Sequence, residues 1–134
     1  MKPVRRDFLI ELPKPELHCH LDGSLRLETM LDLAQKDKIE LPAKDVDGLR
    51  KAVVVQKRVK NLEEYIEKFQ FTLAVLQTPE ALQRAAFELA EDAAAENVRH
   101  LEVRYSPILH KDKGMTPMES LDAVIKGLRE AEHE

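Results

Sequence analysis

The segment Pro15-Glu16-Leu17-His18-Cys19-His20-Leu21-Asp22-Gly23 alternates strictly between polar and apolar residues from Glu16 to Asp22 and then meets a glycine. A two-residue period predicts a β-strand with Glu16, His18, His20 and Asp22 on one face and Leu17, Cys19 and Leu21 on the other. A purely helical interaction protein does not explain that pattern. Two imidazoles two residues apart on a strand point the same way, close enough to share one divalent ion. Asp22 on the same face could be a further ligand, a group that orients a ligand, or an acceptor for a substrate hydroxyl. On spacing alone the pair reads equally well as two histidines on a polar strand face. Position adds weight to a site, because α/β folds place ligands at the C-terminal ends of strands, just before the turn.

The remaining pattern is mostly helical. Residues 1–14 read as a surface lead-in, since Pro13-Lys14-Pro15 holds the backbone extended. Leu27, Met30, Leu31 and Ala34 repeat at helical steps and predict a helix over 27–36. A shorter helix is expected over 46–53, with 54–60 as a connection. Asn61 is a candidate cap for one helix bearing the stripe Leu62, Tyr65, Ile66, Phe69, Leu73 and Leu76, with Glu63, Glu64, Glu67 and Lys68 on its wet side. Thr78-Pro79 suits a cap followed by the first helical residue, and an alanine-rich helix should run on to Asn97. Residues 98–107 read as a second strand closed by Pro107. Thr116-Pro117-Met118-Glu119 has the form of a capping box, launching a helix with Leu121, Val124, Ile125 and Leu128 as its apolar face. Two strands separated by a long helical crossover are most naturally parallel, so the expected class is α/β.

Composition narrows the partners. With 25 acidic against 21 scattered basic residues, no tryptophan and 4% aromatics, neither a duplex-binding stripe nor a stacking platform for single strands is present, so no nucleic acid is expected. No apolar run nears the roughly 18 residues of a membrane span, and the Phe8-Leu9-Ile10 patch is too short for a signal peptide. A single cysteine fits a reducing compartment, and a cytoplasmic location is expected.

Taken together, the run from Pro15 to Ser24 and the later Glu102-Val103-Arg104-Tyr105-Ser106-Pro107 resemble the opening of the adenosine deaminases, within the metal-dependent amidohydrolase superfamily of (β/α)8 barrels. The resemblance covers the chain from about Leu12 onward, including the stripe from Leu62 to Phe69. It implies that residues 1–134 are the N-terminal portion of a single catalytic domain whose C-terminal strands are absent, because such a barrel takes about 250 residues. It also implies zinc (Zn2+) held by His18 and His20, with His20 and Asp22 facing a purine nucleoside and Asp22 accepting from a ribose hydroxyl. Leu62, Tyr65, Ile66 and Phe69 would wall the apolar side of the substrate pocket, although plain helix packing explains the same stripe. Glu102 and Arg104 are expected as a buried ion pair inside the barrel, with substrate contact as the other reading, Cys19 as a small hydrophobe, and His100 and His110 as surface histidines. His133 has no expected role.

The implied reaction is hydrolytic deamination of adenosine or 2'-deoxyadenosine. The family's His-Ala-Gly-Glu motif and Asp-Asp pair do not occur in these residues, so this portion alone is expected to be inactive. Two strands would leave open sheet edges, to be covered by a second chain or by self-association. Two alternatives stay open: an adenine or other purine deaminase, and a non-catalytic metal- or partner-binding α/β module.

Overall fold

Lys14–His20 (β1) and Val98–Arg104 (β2) pair in parallel, with Lys14 opposite Val98, Glu16 opposite Leu101 and His20 opposite Arg104. The computed structural model describes residues 5–55 and 61–133, so Met1 to Val4, the 56–60 part of the expected connection and the side chain of Glu64 lie outside the described residues.

β1 begins two residues earlier than the alternation suggests, and it ends at His20 rather than Asp22. Pro15 is accommodated because a two-stranded sheet consists of edge strands, where a missing N–H is tolerated. Beyond His20 the chain turns into a 3-10 segment, Leu21–Gly23, secured by Ser24 N–H donating to Leu21 O at 3.1 Å and by Ser24 Oγ donating to His20 O at 2.6 Å. β2 stops at Arg104, short of the expected 107, because Pro107 opens a second 3-10 turn, Pro107–Leu109. The lead-in is not simply extended: Arg6–Glu11 forms a short helix, α1, whose carbonyl end is gathered by Lys14 Nζ donating to Leu9 O and Leu12 O, each at 3.0 Å.

The helices follow in order as Leu27–Asp37 (α2), Val46–Val53 (α3), Leu62–Ile66 (α4), Phe69–Val75 (α5), Pro79–Ala95 (α6) and Pro117–Glu132 (α7). α2 closes on Lys38 in the left-handed region, at φ 55°. Asp45 caps α3 by accepting from Gly48 N–H at 2.8 Å, and Thr78 caps α6 by accepting from Ala81 N–H at 3.2 Å.

The stripe expected as one helix from Asn61 is two. After Glu67 N–H reaches Glu63 O in the α pattern, Lys68, Gln70 and Phe71 N–H groups donate instead to Tyr65, Glu67 and Lys68 carbonyls, three residues back. Lys68 is not on a wet side, since its Nζ donates to Ala52 O at 2.8 Å and ties this tightened turn to the end of α3.

The apolar face of α7 is also rotated from expectation. Ser120, Ala123, Val124 and Gly127 are buried, whereas Leu121 and Ile125 remain 38% and 36% exposed. The reason is close approach to α6: a Cβ on Gly127 would lie 2.1 Å from Gln83 O, so small residues take the contact. Arg26 at the start of α2 grips α6 through both oxygens of Asp92, and Arg84 of α6 reaches back to Asp32 at 2.7 Å.

One core, centred on Leu21, Met30, Leu49, Leu76 and Leu82, joins the helices to one face of the sheet through Cys19, Leu101 and Val103. Leu17, expected on that face, stays 54% exposed. The register irregularity between Glu16 and Cys19 interrupts pairing at this point. No helix among the described residues is long and apolar enough to cross a membrane.

Candidate functional site

His18 and His20 project from the face of β1 that the helices leave open. Their Nε2 atoms are 3.1 Å apart and their ring centroids 5.1 Å apart. Two imidazole ligands of one tetrahedral zinc, each about 2.0–2.1 Å from the metal, have nitrogens about 3.3 Å apart. The pair therefore fits two corners of such a site. No third histidine, cysteine, aspartate or glutamate among the described residues joins them in a metal-holding cluster. Cys19 turns the other way, packs against the core and places Sγ 3.6 Å from Ser24 Oγ.

Asp22 does not extend the strand face as alternation suggested, yet the 3-10 turn returns it to the same place. It is only 6% exposed, and its Oδ1, 3.6 Å from His20 Nδ1, has no hydrogen-bond partner. A buried carboxylate oxygen without a donor is costly unless a ligand supplies one.

Beside these groups is a cavity of about 500 Å³. His20, Asp22, Leu62, Tyr65, Ile66 and Phe69 all line it. Tyr65 and Phe69 meet edge to face, with centroids 5.5 Å apart. These two and Asp22 also border a smaller cavity of about 210 Å³ under Met30 and Val53. The break between α4 and α5 thus leaves Leu62, Tyr65 and Ile66 largely exposed to the larger cavity instead of packed as a continuous helix.

Sequence reasoning did not assign Leu73, Tyr105, Ser106 and Leu109 to this wall. Leu73 was findable, four residues beyond Phe69 on the same stripe. Tyr105 and Ser106 directly follow a parallel strand, where α/β ligand sites lie. Burial pushes the Tyr105 phenol above its ordinary value, opposed by Ser120 Oγ–H, which donates to the phenol oxygen at 3.3 Å.

Two expectations need correction. Glu102 and Arg104 do pair, at 3.3 Å, but both are exposed on the open sheet face, and Arg104 lines the cavity. His110 is not on the surface: it is fully buried, with a ring nitrogen, Nδ1, 2.8 Å from Leu76 O. The cause is the Pro107–Leu109 turn, which folds the following residue back under the end of α5. His100, by contrast, is exposed, with Nε2 3.5 Å from Glu102.

A histidine pair at the C-terminal end of a parallel strand, beside a largely apolar cavity in an α/β unit, is the arrangement expected of part of a (β/α)8 hydrolase barrel. Comparison with known proteins agrees. An amidohydrolase from Burkholderia ambifaria, whose crystal structure has bound Zn, superposes with a TM-score of 0.81 at 32% identity over 96% of this chain and 34% of its own. The adenine deaminase of Arthrobacter aurescens gives 0.78 at 30% identity over 90% of this chain and 36% of its own. The adenosine deaminase of Clostridium perfringens (strain SM101 / Type A) is 50% identical over 124 residues, 92% of this chain. A family model described as Adenosine deaminase matches residues 13–134. The chain belongs to the adenosine deaminase family, a family of aminohydrolases, and spans 37% of the length of that Clostridium relative.

Proposed function

We propose that the full-length protein carries out zinc-dependent hydrolytic deamination of adenosine or 2'-deoxyadenosine, releasing inosine or 2'-deoxyinosine and ammonia, as a step of purine salvage in the cytoplasm. Residues 1–134 are taken as the N-terminal portion of its single catalytic domain. The observation that carries this most is the buried, partnerless Asp22 Oδ1 next to the converging His18 and His20 nitrogens.

His18 and His20 would hold the zinc through Nε2. The chemistry such an ion supplies when bound is activation of water near neutral pH. Leu62, Tyr65, Ile66 and Phe69 receive the flat purine and keep bulk water from it. Asp22 accepts a hydrogen bond from a ribose hydroxyl, which orients the nucleoside and gives the buried oxygen its missing donor. Asp22, the carboxyl that lines the cavity, is committed to the ribose in this reading, so protonation of the purine ring falls to an acid outside residues 1–134, and these residues alone are inactive. The unpaired edges of β1 and β2 are covered by further strands of the barrel or by a second chain.

The test is turnover of adenosine and adenine by the full-length protein, before and after chelation and zinc reconstitution. Adenosine turnover lost on chelation and restored by zinc is expected. Turnover of adenine without adenosine would overturn the nucleoside assignment and favour the free-base activity that the Arthrobacter neighbour's name describes. Zinc-dependent turnover by residues 1–134 alone would overturn the need for a second portion.

A further inference from the structure

Behind the cavity, two buried side chains that do not line it fasten its two walls together. One wall is α5, which contributes Phe69 and Leu73. The other is the chain after β2, which contributes Tyr105, Ser106 and Leu109. Gln77, only 5% exposed, uses its whole amide between them: Nε2 donates to Leu73 O at 2.8 Å and to Leu109 O at 3.0 Å, while Oε1 accepts from Asp112 N–H at 3.0 Å. His110 adds the second fastening, Nδ1 to Leu76 O at 2.8 Å. A carbonyl only accepts, so the ring proton is on Nδ1. Its ring also meets Tyr105, with centroids 5.6 Å apart. Both fastenings use carbonyls at the end of α5, where Leu73 O also accepts from Leu76 N–H at 3.1 Å.

That pair of side chains is more than a satisfied core. Nε2 of His110 is buried with no hydrogen-bond partner. An apolar residue of similar size would avoid that burden, so the imidazole is useful here for its single donated bond.

We propose that His110 and Gln77 are positioning residues that set the separation of the cavity's two apolar walls, and with it the affinity for the planar base of the substrate; this rests on the deaminase function proposed above. Neither residue touches the substrate. Both act through Leu73, Tyr105 and Leu109.

The test uses the full-length protein with three variants, His110→Leu, His110→Asn and Gln77→Met. Asparagine can place an N–H near the position of Nδ1, and leucine cannot. Two readouts are taken: the KM and kcat for adenosine, and amide hydrogen exchange across residues 69–75 and 106–112. We expect His110→Leu and Gln77→Met to raise KM by about tenfold with kcat within about twofold, and His110→Asn to restore KM. Exchange should accelerate in both segments together in the first two variants and stay near wild type in the third. Unchanged KM in a folded His110→Leu protein overturns the proposal, as does an asparagine variant no better than leucine. If His110→Leu does not fold, Gln77→Met decides by the same criteria. Should the unaltered protein fail to turn over adenosine, the proposed function falls, and exchange alone decides the fastening: acceleration confined to one segment overturns it.

Discussion

His18 Nε2 and His20 Nε2 stand 3.1 Å apart on one face of β1, while Cys19 between them packs its thiol on the other. Replacing either histidine with alanine in the full-length protein should weaken zinc binding by more than the roughly 100-fold that loss of an outer partner of a ligand can cost. Cys19→Ala should leave it unchanged. Competition with a chromophoric chelator measures both, and zinc retained at full affinity by the histidine variants would remove the pair from the metal site.

Under the proposed function, Asp22 discriminates a nucleoside from a free base. Losing a hydrogen bond to a charged acceptor costs about 1.5–3 kcal/mol, or about 10- to 100-fold. Asp22→Ala should lower kcat/KM for adenosine by about that factor relative to kcat/KM for adenine. An equal loss on both substrates would show that Asp22 acts on something other than the ribose.

Gly127→Ala sets two effects against each other. In an open helix alanine gains up to about 1 kcal/mol over glycine. Here the new methyl would lie 2.1 Å from Gln83 O and 3.1 Å from the Ala86 Cβ, and overpacking of that kind costs about 1–3 kcal/mol or more. Steric conflict wins because backbone cannot swing aside as a side chain can. A lowered denaturation midpoint is expected, and a raised one would show that α6 and α7 separate easily.

Thr116 and Glu119 cap α7 reciprocally: Glu119 N–H donates to Thr116 Oγ1 at 3.2 Å, and Thr116 N–H donates to Glu119 Oε2 at 2.8 Å. The donations from Thr116 N–H and hydroxyl hold the Glu119 carboxyl below its ordinary value. A depressed folded value means stability that is present above the ordinary glutamate range, about 4.3, and is lost as pH falls through the lower folded value. Thr116→Ala should cost about 1 kcal/mol near neutrality. It should also flatten the acid side of the stability curve, and an unaltered acid limb in that variant would show that the cap does not titrate with folding.

Much of the fold was legible because local chemistry dictated it. Thr78-Pro79 and Thr116-Pro117-Met118-Glu119 announce helix starts through hydrogen bonds made within four residues, and both starts fall where expected. The parallel pairing followed from the length of chain between two strand-like segments. The stripe after Asn61 was less legible, because helical periodicity continues through the tightened turn where Lys68 bonds to Ala52 O. His110 was misplaced for a related reason: nothing in its neighbours' polarity signals that a proline-led turn will fold it beneath α5.

The amino-acid sequence by itself determined which side chains of β1 share a face, since a strand's two-residue period leaves no other choice for His18, His20 and Cys19. It determined the family through a match that runs over residues 13–134. Only the tertiary structure decided that Asp22 is buried with a free oxygen, that α7 turns Ala123 and Gly127 inward instead of Leu121 and Ile125, and that Gln77 and His110 clasp a segment more than thirty residues away in the chain. Those outcomes depend on how closely helices and turns approach one another. Such distances arise from packing many side chains at once, and local patterning does not encode them.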